Sequence, residues 1–476
     1  MVDNILKHFK DIVGSERATT DDAILLTYAR DQQWPFVPPR KPDYIVRPTT
    51  TTEVQQVIRI ANRHKIPVVP YAQGVNVRGL CIAEQGGIIL DMRDMNQILE
   101  VNEDMMTAVI EPGVRTVDLA VACREKGLRP AIAGCPGVAS AGANYMLRGL
   151  YHHMWKDGIE HVLGMEIVLP NGNLLHTGSW GFPNTLGPYC RYGIGPDMTG
   201  LFQNQPGTMG VFTKLATKLY PKHDIADWVV AGYDDISDLV KVIKELGKKD
   251  IGASCMGMHW LGYAMLFAGN IKDVFEFKDT MGEYVLWAVL EAETEEDIIA
   301  EEEKCEKIVR ASNYVAGGEI FPIPEDIDNE FTYPRIVSQW FRLGNYYAVP
   351  FFAPIDMTKT YYEATMKLWL KHNLDPDLCG WFIAPMDYLH HGQAVYFEVE
   401  TFYDSSDDEE RENLKRFTDD FNKKMMEIGM FSWFRPNPGN MGLTLPGLGN
   451  YANLWKQIKD DIDPNDIMNP GKVFVI

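Results

Sequence analysis

The stretch from Pro67 to Gly79, P-V-V-P-Y-A-Q-G-V-N-V-R-G, has the composition of a backbone anion cradle. A short apolar run ends at Pro70, and Gly74, Asn76 and Gly79 follow closely. Glycine takes positive φ freely and asparagine tolerates it better than most residues, so such a loop turns sharply. It also lets backbone N–H groups approach a phosphate. A plain turn has the same composition. The loop is neither a dinucleotide G-x-G-x-x-G nor a Walker G-x-x-x-x-G-K-[ST], and neither pattern occurs elsewhere. His390 and His391 are candidates for proton transfer, since a neutral imidazole accepts a proton near pH 7. Successive strand residues face opposite ways, so at most one of the two enters a pocket. A core histidine bonded to backbone is the other reading. Neither this pair nor His152 and His153 has ligand-like spacing to other His or Cys, so no metal site is expected.

These residues need a frame. Thr50 and Glu53 form a T-x-x-E capping box ahead of Val54, Val57, Ile58 and Ala61 at helical spacing. A strand over Ile66–Val69 leads into the glycine loop, and Gly87–Met92 and Thr107–Glu111 read as strands. A helix is expected near Val117–Glu125, a hairpin over Val162–Leu169 and Leu174–Thr177 around Asn171-Gly172, and a strand over Gly210–Leu219. From about residue 223 the pattern changes. Helices such as Ile236–Leu246 and Glu295–Ala311 alternate with aromatic strands such as Tyr346–Phe352 and Trp381–Ala384. A long amphipathic helix then carries Leu414, Phe417, Phe421, Met425 and Ile428 on one face.

With 476 residues, 46% of them hydrophobic, the chain is long enough for two domains. The formal charge of −21 argues against a nucleic-acid partner, because phosphates need Lys and Arg. It is compatible with a basic protein partner and with a simple solvated surface. No stretch has the roughly 18–20 uncharged apolar residues of a membrane span. The charged start, MVDNILKHFKDIVGSER, is a poor signal peptide, and seven scattered cysteines without C-x-x-C fit reduced thiols. The expectation is a cytoplasmic protein.

Several segments agree in order with one family. They include R-P-T-T-T-T-E-V-Q-Q-V (47–57), P-Y-A-Q-G-V-N-V-R-G (70–79), I-I-L-D-M-R-D-M-N-Q-I-L-E-V (88–101) and V-I-E-P-G-V (109–114). G-M-E-I-V-L-P-N-G-N-L-L-H-T-G (164–178), Y-G-I-G-P-D-M-T-G-L-F (192–202), G-T-M-G-V-F-T-K (207–214) and D-P-N-D-I-M-N-P-G-K (463–472) complete the set. Together they resemble the vanillyl-alcohol oxidase/p-cresol methylhydroxylase flavoproteins. The resemblance covers the whole chain, most strongly residues 1–222 and the tail.

The resemblance implies an α+β fold. A two-lobed FAD-binding domain (1–222 plus 431–476) would carry a cap of antiparallel sheet and helices (223–430). It implies Gly74, Val75, Asn76 and Gly79 as pyrophosphate-loop residues, and 135–144 as a second FAD-contacting loop through Pro136, Gly137, Ser140 and Gly142. Gly210 and Val211 match a strand along the flavin. Glu166 falls where the family keeps an acidic residue near the flavin, and burial there would raise its pKa toward neutrality. Alternation puts Met165 and Ile167 on the face opposite Glu166, and an outward-facing carboxylate is the other reading. Arg435 falls where family members hold a phenolate or stabilise the anionic reduced flavin, and a surface arginine is the alternative. A His-His pair occurs at the matching place of His390 and His391, which makes His390 a third catalytic candidate.

Two departures bear on chemistry. Thr107 and Phe434 stand where the family's phenol-binding tyrosines are expected. In the Y-Y-A-V-P-F-F-A-P segment (346–354), Val349 occupies the position of the His or Tyr that tethers FAD in some members, which predicts noncovalent FAD; a tyrosyl link through Tyr347 is the alternative. The leading expectation is an FAD-dependent oxidoreductase of an alcohol or 4-alkylphenol, passing electrons to O2 or a redox protein such as a cytochrome. The alternatives are a 2-hydroxy-acid (lactate- or glycolate-like) dehydrogenase, and an FAD-binding electron-transfer subunit of a larger complex. The resemblance also implies a homo-oligomer.

Overall fold

The computed structural model describes residues 2–31, 36–76, 78–132, 135–147, 158–268, 270–317, 342–384, 395–432 and 438–474. His390, His391, Phe434 and Arg435 lie outside the described residues.

The capping box starts a helix as expected. Helix Thr51–His64 begins with the Thr50 hydroxyl accepting from Glu53 N and buries Val54, Val57, Ile58 and Ala61. The Glu53 carboxylate does not return to the cap residue's own N–H. It accepts from Thr49 N at 2.7 Å and takes both arms of Arg17 at 2.8 Å. The helix ends at Lys65, whose φ of 53° closes the last turn.

This helix covers a four-stranded sheet in the order Ala18–Thr19, Tyr44–Val46, Ile88–Asp91, Val68–Tyr71. The last three strands run parallel, and apart from the buried Asp91 at the end of one their residues are almost all apolar on both faces, as a strand covered twice requires. The strand ahead of the glycine loop therefore includes Pro70 and Tyr71, two residues beyond its expected end. A second sheet carries Ile98–Asn102, Thr107–Ile110, Val211–Pro221, Val162–Val168 and Leu174–His176 in that order, with Leu128–Pro130 paired to the far end of Val211–Pro221. Val168 and Val211 pack into the same core as the first sheet, which fixes the two sheets together.

The third sheet is antiparallel and has seven described strands. Their order is Ile225–Tyr233, Tyr284–Ala292, Ser254–His259, Cys379–Ala384, Val395–Tyr403, Asn345–Ala353, Phe431–Ser432. Alternation gives it two buried faces. One carries Tyr347, Val349, Phe351, Phe397 and Val399 beneath Leu414, Phe417, Phe421 and Met425 of helix Asp408–Glu427. The other carries Trp228, Trp287, Phe352, Tyr396 and Phe402 and packs on helix Trp260–Phe267. A buried ion pair, Arg129 to Glu291 at 2.6 Å, joins the second sheet to the third. The fold is thus α+β, with antiparallel sheets and helices in two regions. Among the described residues no helix is long and apolar enough to cross a membrane.

Candidate cofactor and active site

Three segments distant in sequence close around one cleft. They are the loop after strand Val68–Tyr71, the segment from Ala139 to Leu147, and residues 205–212 leading into Val211–Pro221. The cleft encloses about 1190 Å3, counting its open mouth.

The glycine loop turns as its composition requires. Gly74 has φ +71°, and a Cβ there would sit 1.9 Å from the Tyr71 hydroxyl oxygen. Asn76 locks the exit from the loop, its Oδ1 accepting from Arg78 N at 2.7 Å. None of the N–H groups of Ala72 to Asn76 has a protein acceptor among the described residues. A run of unspent donors at a cleft mouth is what a phosphate needs. Arg78 and Asn469 also line the cleft while nearly or wholly buried, and the Arg78 Nε and Asn469 Oδ1 atoms have no partner among the described residues. Buried polar atoms without partners are rare in proteins unless a ligand completes them. Tyr71 and Cys81, in the same wall, are both pushed up to about 12 by burial and so add no charge near neutral pH.

The second loop contributes less than expected. Ser140 reaches the wall and caps the short helix Ala141–Met146 by accepting from Ala143 N at 3.1 Å. Pro136 and Gly137 do not line the cleft. Gly142 faces the Phe212 ring, where a Cβ would come within 3.0 Å, so it serves helix-to-strand packing. Gly79 likewise faces Val37, and its carbonyl oxygen accepts from the Lys472 ammonium at 2.7 Å. Gly74, Val75, Asn76, Ser140, Gly210 and Val211 are on the wall.

The neighbours of Glu166 reverse the expected direction of its pKa. Ile167 lines the cleft, and the Glu166 side chain leaves the strand on the opposite face. Its carboxylate accepts from Thr51 Oγ1 at 2.7 Å, Thr213 Oγ1 at 2.8 Å and Lys214 Nζ at 3.1 Å, with His176 Nε2 at 3.0 Å. Burial is the largest single influence and pushes the pKa up. The hydroxyl donors and Lys214 together outweigh it, so the group lies below its ordinary value, not toward neutrality. Glu166 ties helix Thr51–His64 to the second sheet. Thr107 does not line the cleft either.

Tyr347 and Val349 both point into the helix-covered core of the third sheet, where Tyr347 stacks on Phe36 at 4.4 Å. Neither lines the cleft. The residue between them does meet the glycine loop, since the Ala348 carbonyl oxygen accepts from Arg78 Nη1.

Comparison with known proteins agrees with this geometry. Residues 42–178 match an FAD binding domain, and residues 450–473 match the C-terminal domain of FAD linked oxidases. The glycolate oxidase subunit GlcD of Bacillus subtilis (strain 168) is 31% identical over 241 residues, 49% of this chain and 48% of that one. The chain thus spans about half the length of this relative. The flavoprotein subunit of 4-cresol dehydrogenase [hydroxylating] of Pseudomonas putida is 27% identical over 51% of this chain and 47% of its own. A probable mitochondrial D-lactate dehydrogenase of Danio rerio is 23% identical over 99% and 92%. A crystal structure of p-cresol methylhydroxylase with substrate bound superposes with a TM-score of 0.83 at 20% identity, covering 99% of this chain and 96% of that one. Fold and cleft define an FAD-binding flavoprotein. The chain thus carries an FAD binding domain on a fold shared with p-cresol methylhydroxylase, and its cofactor is FAD.

Sequence reasoning missed Arg78 and Asn469. Arg78 was visible as a charge within the glycine loop, but a charged loop residue ordinarily reads as solvated.

Proposed function

We propose that this chain is an FAD-dependent dehydrogenase or oxidase of an alcohol or 4-alkylphenol, with FAD bound noncovalently in the cleft. The observation that carries the reading is the row of unpartnered N–H groups from Ala72 to Asn76 beside the buried, incompletely bonded Arg78. On this reading the loop N–H groups hold the cofactor's phosphates, and Asn469 Oδ1 accepts from it. Bound FAD would supply the oxidising equivalent, accepting a hydride from the substrate carbon. Arg78 would face the negative charge that develops in the site. The aromatic face of the third sheet would exclude water, which strengthens that attraction. Residues 1–222 and 431–476 would form the cofactor domain and 223–430 the cap, with strand Phe431–Ser432 joining the two by pairing with Phe351 and Phe352. Noncovalent binding is supported by the inward-facing Val349 and Tyr347.

A 2-hydroxy-acid substrate is the second reading. The glycolate- and lactate-oxidising names among the relatives favour it, and a buried guanidinium suits a carboxylate. Electrons would pass to O2 or a redox protein, in a cytoplasmic homo-oligomer. Anaerobic bleaching of the flavin separates the readings. A 4-alkylphenol or a benzylic alcohol should bleach it within seconds if the first holds, and glycolate or D-lactate if the second holds. Bleaching by neither class would refute both.

A further inference from the structure

One loop exposes more large apolar side chains than any other described stretch of its length. It joins strand Leu174–His176 to the short helix Met198–Phe202 and presents Phe182, Leu186, Tyr189, Tyr192, Ile194 and Met198 to solvent. Leu186 is 93% exposed and Ile194 90%, the highest values for large apolar side chains among the described residues. Exposed apolar residues scattered singly are ordinary, whereas a concentration of them marks a contact surface.

The loop is held in this shape by its own polar groups. The buried Ser179 hydroxyl donates to Gly187 O at 2.8 Å and accepts from Tyr189 N at 2.9 Å and Cys190 N at 3.1 Å. Ser179 N donates to Cys190 O at 2.7 Å, and Ser179 O accepts from Thr185 Oγ1 at 2.7 Å. Arg191 anchors the far arm by donating to Asp197 at 2.7 Å and to Ile159 O. The Phe182 ring lies against Gly193, where a Cβ would meet it at 3.4 Å, so the two arms touch. A loop free to rearrange would turn apolar side chains inward, because covering them removes their surface from water. Here the serine and the ion pair fix the backbone with those side chains outward. Apolar surface already ordered in this way leaves little conformational cost for association.

Charge selects the occupant. From Gly178 to Gly200 the sequence holds two charged residues, Arg191 and Asp197, and they neutralise each other. The whole chain carries −21. A basic partner is drawn to the acidic remainder and gains nothing electrostatic from a neutral patch. An anionic membrane needs exposed lysine or arginine, and the loop's one arginine is already paired. Two acidic copies repel each other, so they approach best through a face without charge. A two-fold axis sets the same patch on both sides, apolar against apolar. The six side chains offer roughly 500 Å2 per copy, and a pair would cover about 1,000 Å2, the lower bound for a specific interface. We propose that this loop is the surface through which two copies of the chain associate. It gives the homo-oligomer of the reading above its contact face and rests on no part of that reading's chemistry.

Sedimentation velocity of the holoenzyme tests it. The wild type should sediment as a dimer of the 54.0 kDa chain. Added salt should strengthen the pair, because it screens the repulsion between acidic copies. Leu186→Asp combined with Ile194→Asp should raise the dimer dissociation constant about 100-fold or more, since each carboxylate would be buried unpaired, while the flavin spectrum stays that of the wild type. A double variant that remains dimeric overturns the surface and leaves the homo-oligomer standing. A wild type that is monomeric up to about 100 μM overturns both. If the double variant loses its flavin, hydroxyl-radical footprinting of the wild type takes its place. Tyr189, Tyr192 and Met198 should be labelled several-fold less in the dimer than in dilute protein, and equal labelling overturns the proposal. Phosphatidylcholine vesicles or cytochrome c that bind the wild type and not the double variant would give the patch to another occupant and overturn it too.

Discussion

Gly74→Ala is the sharpest test of the cofactor loop. Two costs can be worked from its geometry. At φ +71° an alanine sits in the left-handed region, which costs about 1–2 kcal/mol. Its Cβ would also lie 1.9 Å from Tyr71 Oη and 2.2 Å from Cζ, well inside contact distance. The ring has little room to yield. It packs edge-on to Tyr28 at 5.1 Å and lies 5.4 Å beneath the Arg93 guanidinium, and Tyr28 is itself bonded to the buried Asp91 at 2.8 Å. The loop must move instead, and overpacking of this kind costs about 1–3 kcal/mol more. A total of about 2–5 kcal/mol predicts FAD affinity weakened about thirtyfold to a few thousandfold. Titrating deflavinated protein with FAD and following flavin fluorescence measures it directly. Adding Tyr71→Ala to Gly74→Ala removes the clash and leaves the backbone strain, so the double variant should bind less weakly than the combined losses of the two single variants require. Wild-type affinity in Gly74→Ala, or simple additivity of the pair, would refute the argument.

Other outcomes follow from the same geometry. Glu166→Gln should leave turnover close to wild type and lower stability by about 1–3 kcal/mol at neutral pH, because a buried carboxylate with several donors is weakened. Folding lowers the Glu166 pKa, so this stabilisation is full above the ordinary value of 4.5 and is lost as pH falls through the lower folded value; the wild-type and variant denaturation curves should converge there. Acid precipitation of the holoenzyme should release all yellow colour to the supernatant, and a coloured pellet would contradict the inward orientation of Val349 and Tyr347. Lys472→Met should weaken FAD binding and lower the melting temperature together, because the buried ammonium holds the Gly79 carbonyl and Glu84; a loss of about 1.5–3 kcal/mol is expected from a charged hydrogen bond.

Much of the frame was legible because local signals and burial agree. The cap residue Thr50 and the spacing of Val54, Val57, Ile58 and Ala61 specify one helix and one buried face. Asn171-Gly172 turns the strands on either side into a hairpin, with Gly172 at φ +79°. The site was less legible, for reasons that are tertiary. Strand alternation alone separated Glu166 from Ile167, and the cleft proved to be on the Ile167 side. The family match had suggested the other face. Arg78 is buried by a strand 270 residues away, which no local pattern reveals. In V-Y-F-E-V-E-T-F-Y the two glutamates look like one solvated face of an edge-like strand. Their neighbours on that same face, Tyr396 and Phe402, were the available clue that it is covered.

The strap from Asp463 to Lys472 is bonded to the segment that makes the cofactor loop. Val68 N donates to Ile467 O, Asn469 N donates to Val68 O, and the Asn469 amide reaches the Leu80 and Pro206 carbonyls. Asn469 lies 389 residues from Leu80 and 263 from Pro206. During synthesis the glycine loop therefore emerges long before the strap that finishes its wall. A nascent chain would then be unable to complete the wall of the cleft until the third sheet and the strap after it have been translated. Yellow colour in a purified preparation then reports more than occupancy. It certifies that both distant segments are intact and joined, so clipping anywhere in the strap should bleach the protein even when every strand of the third sheet survives.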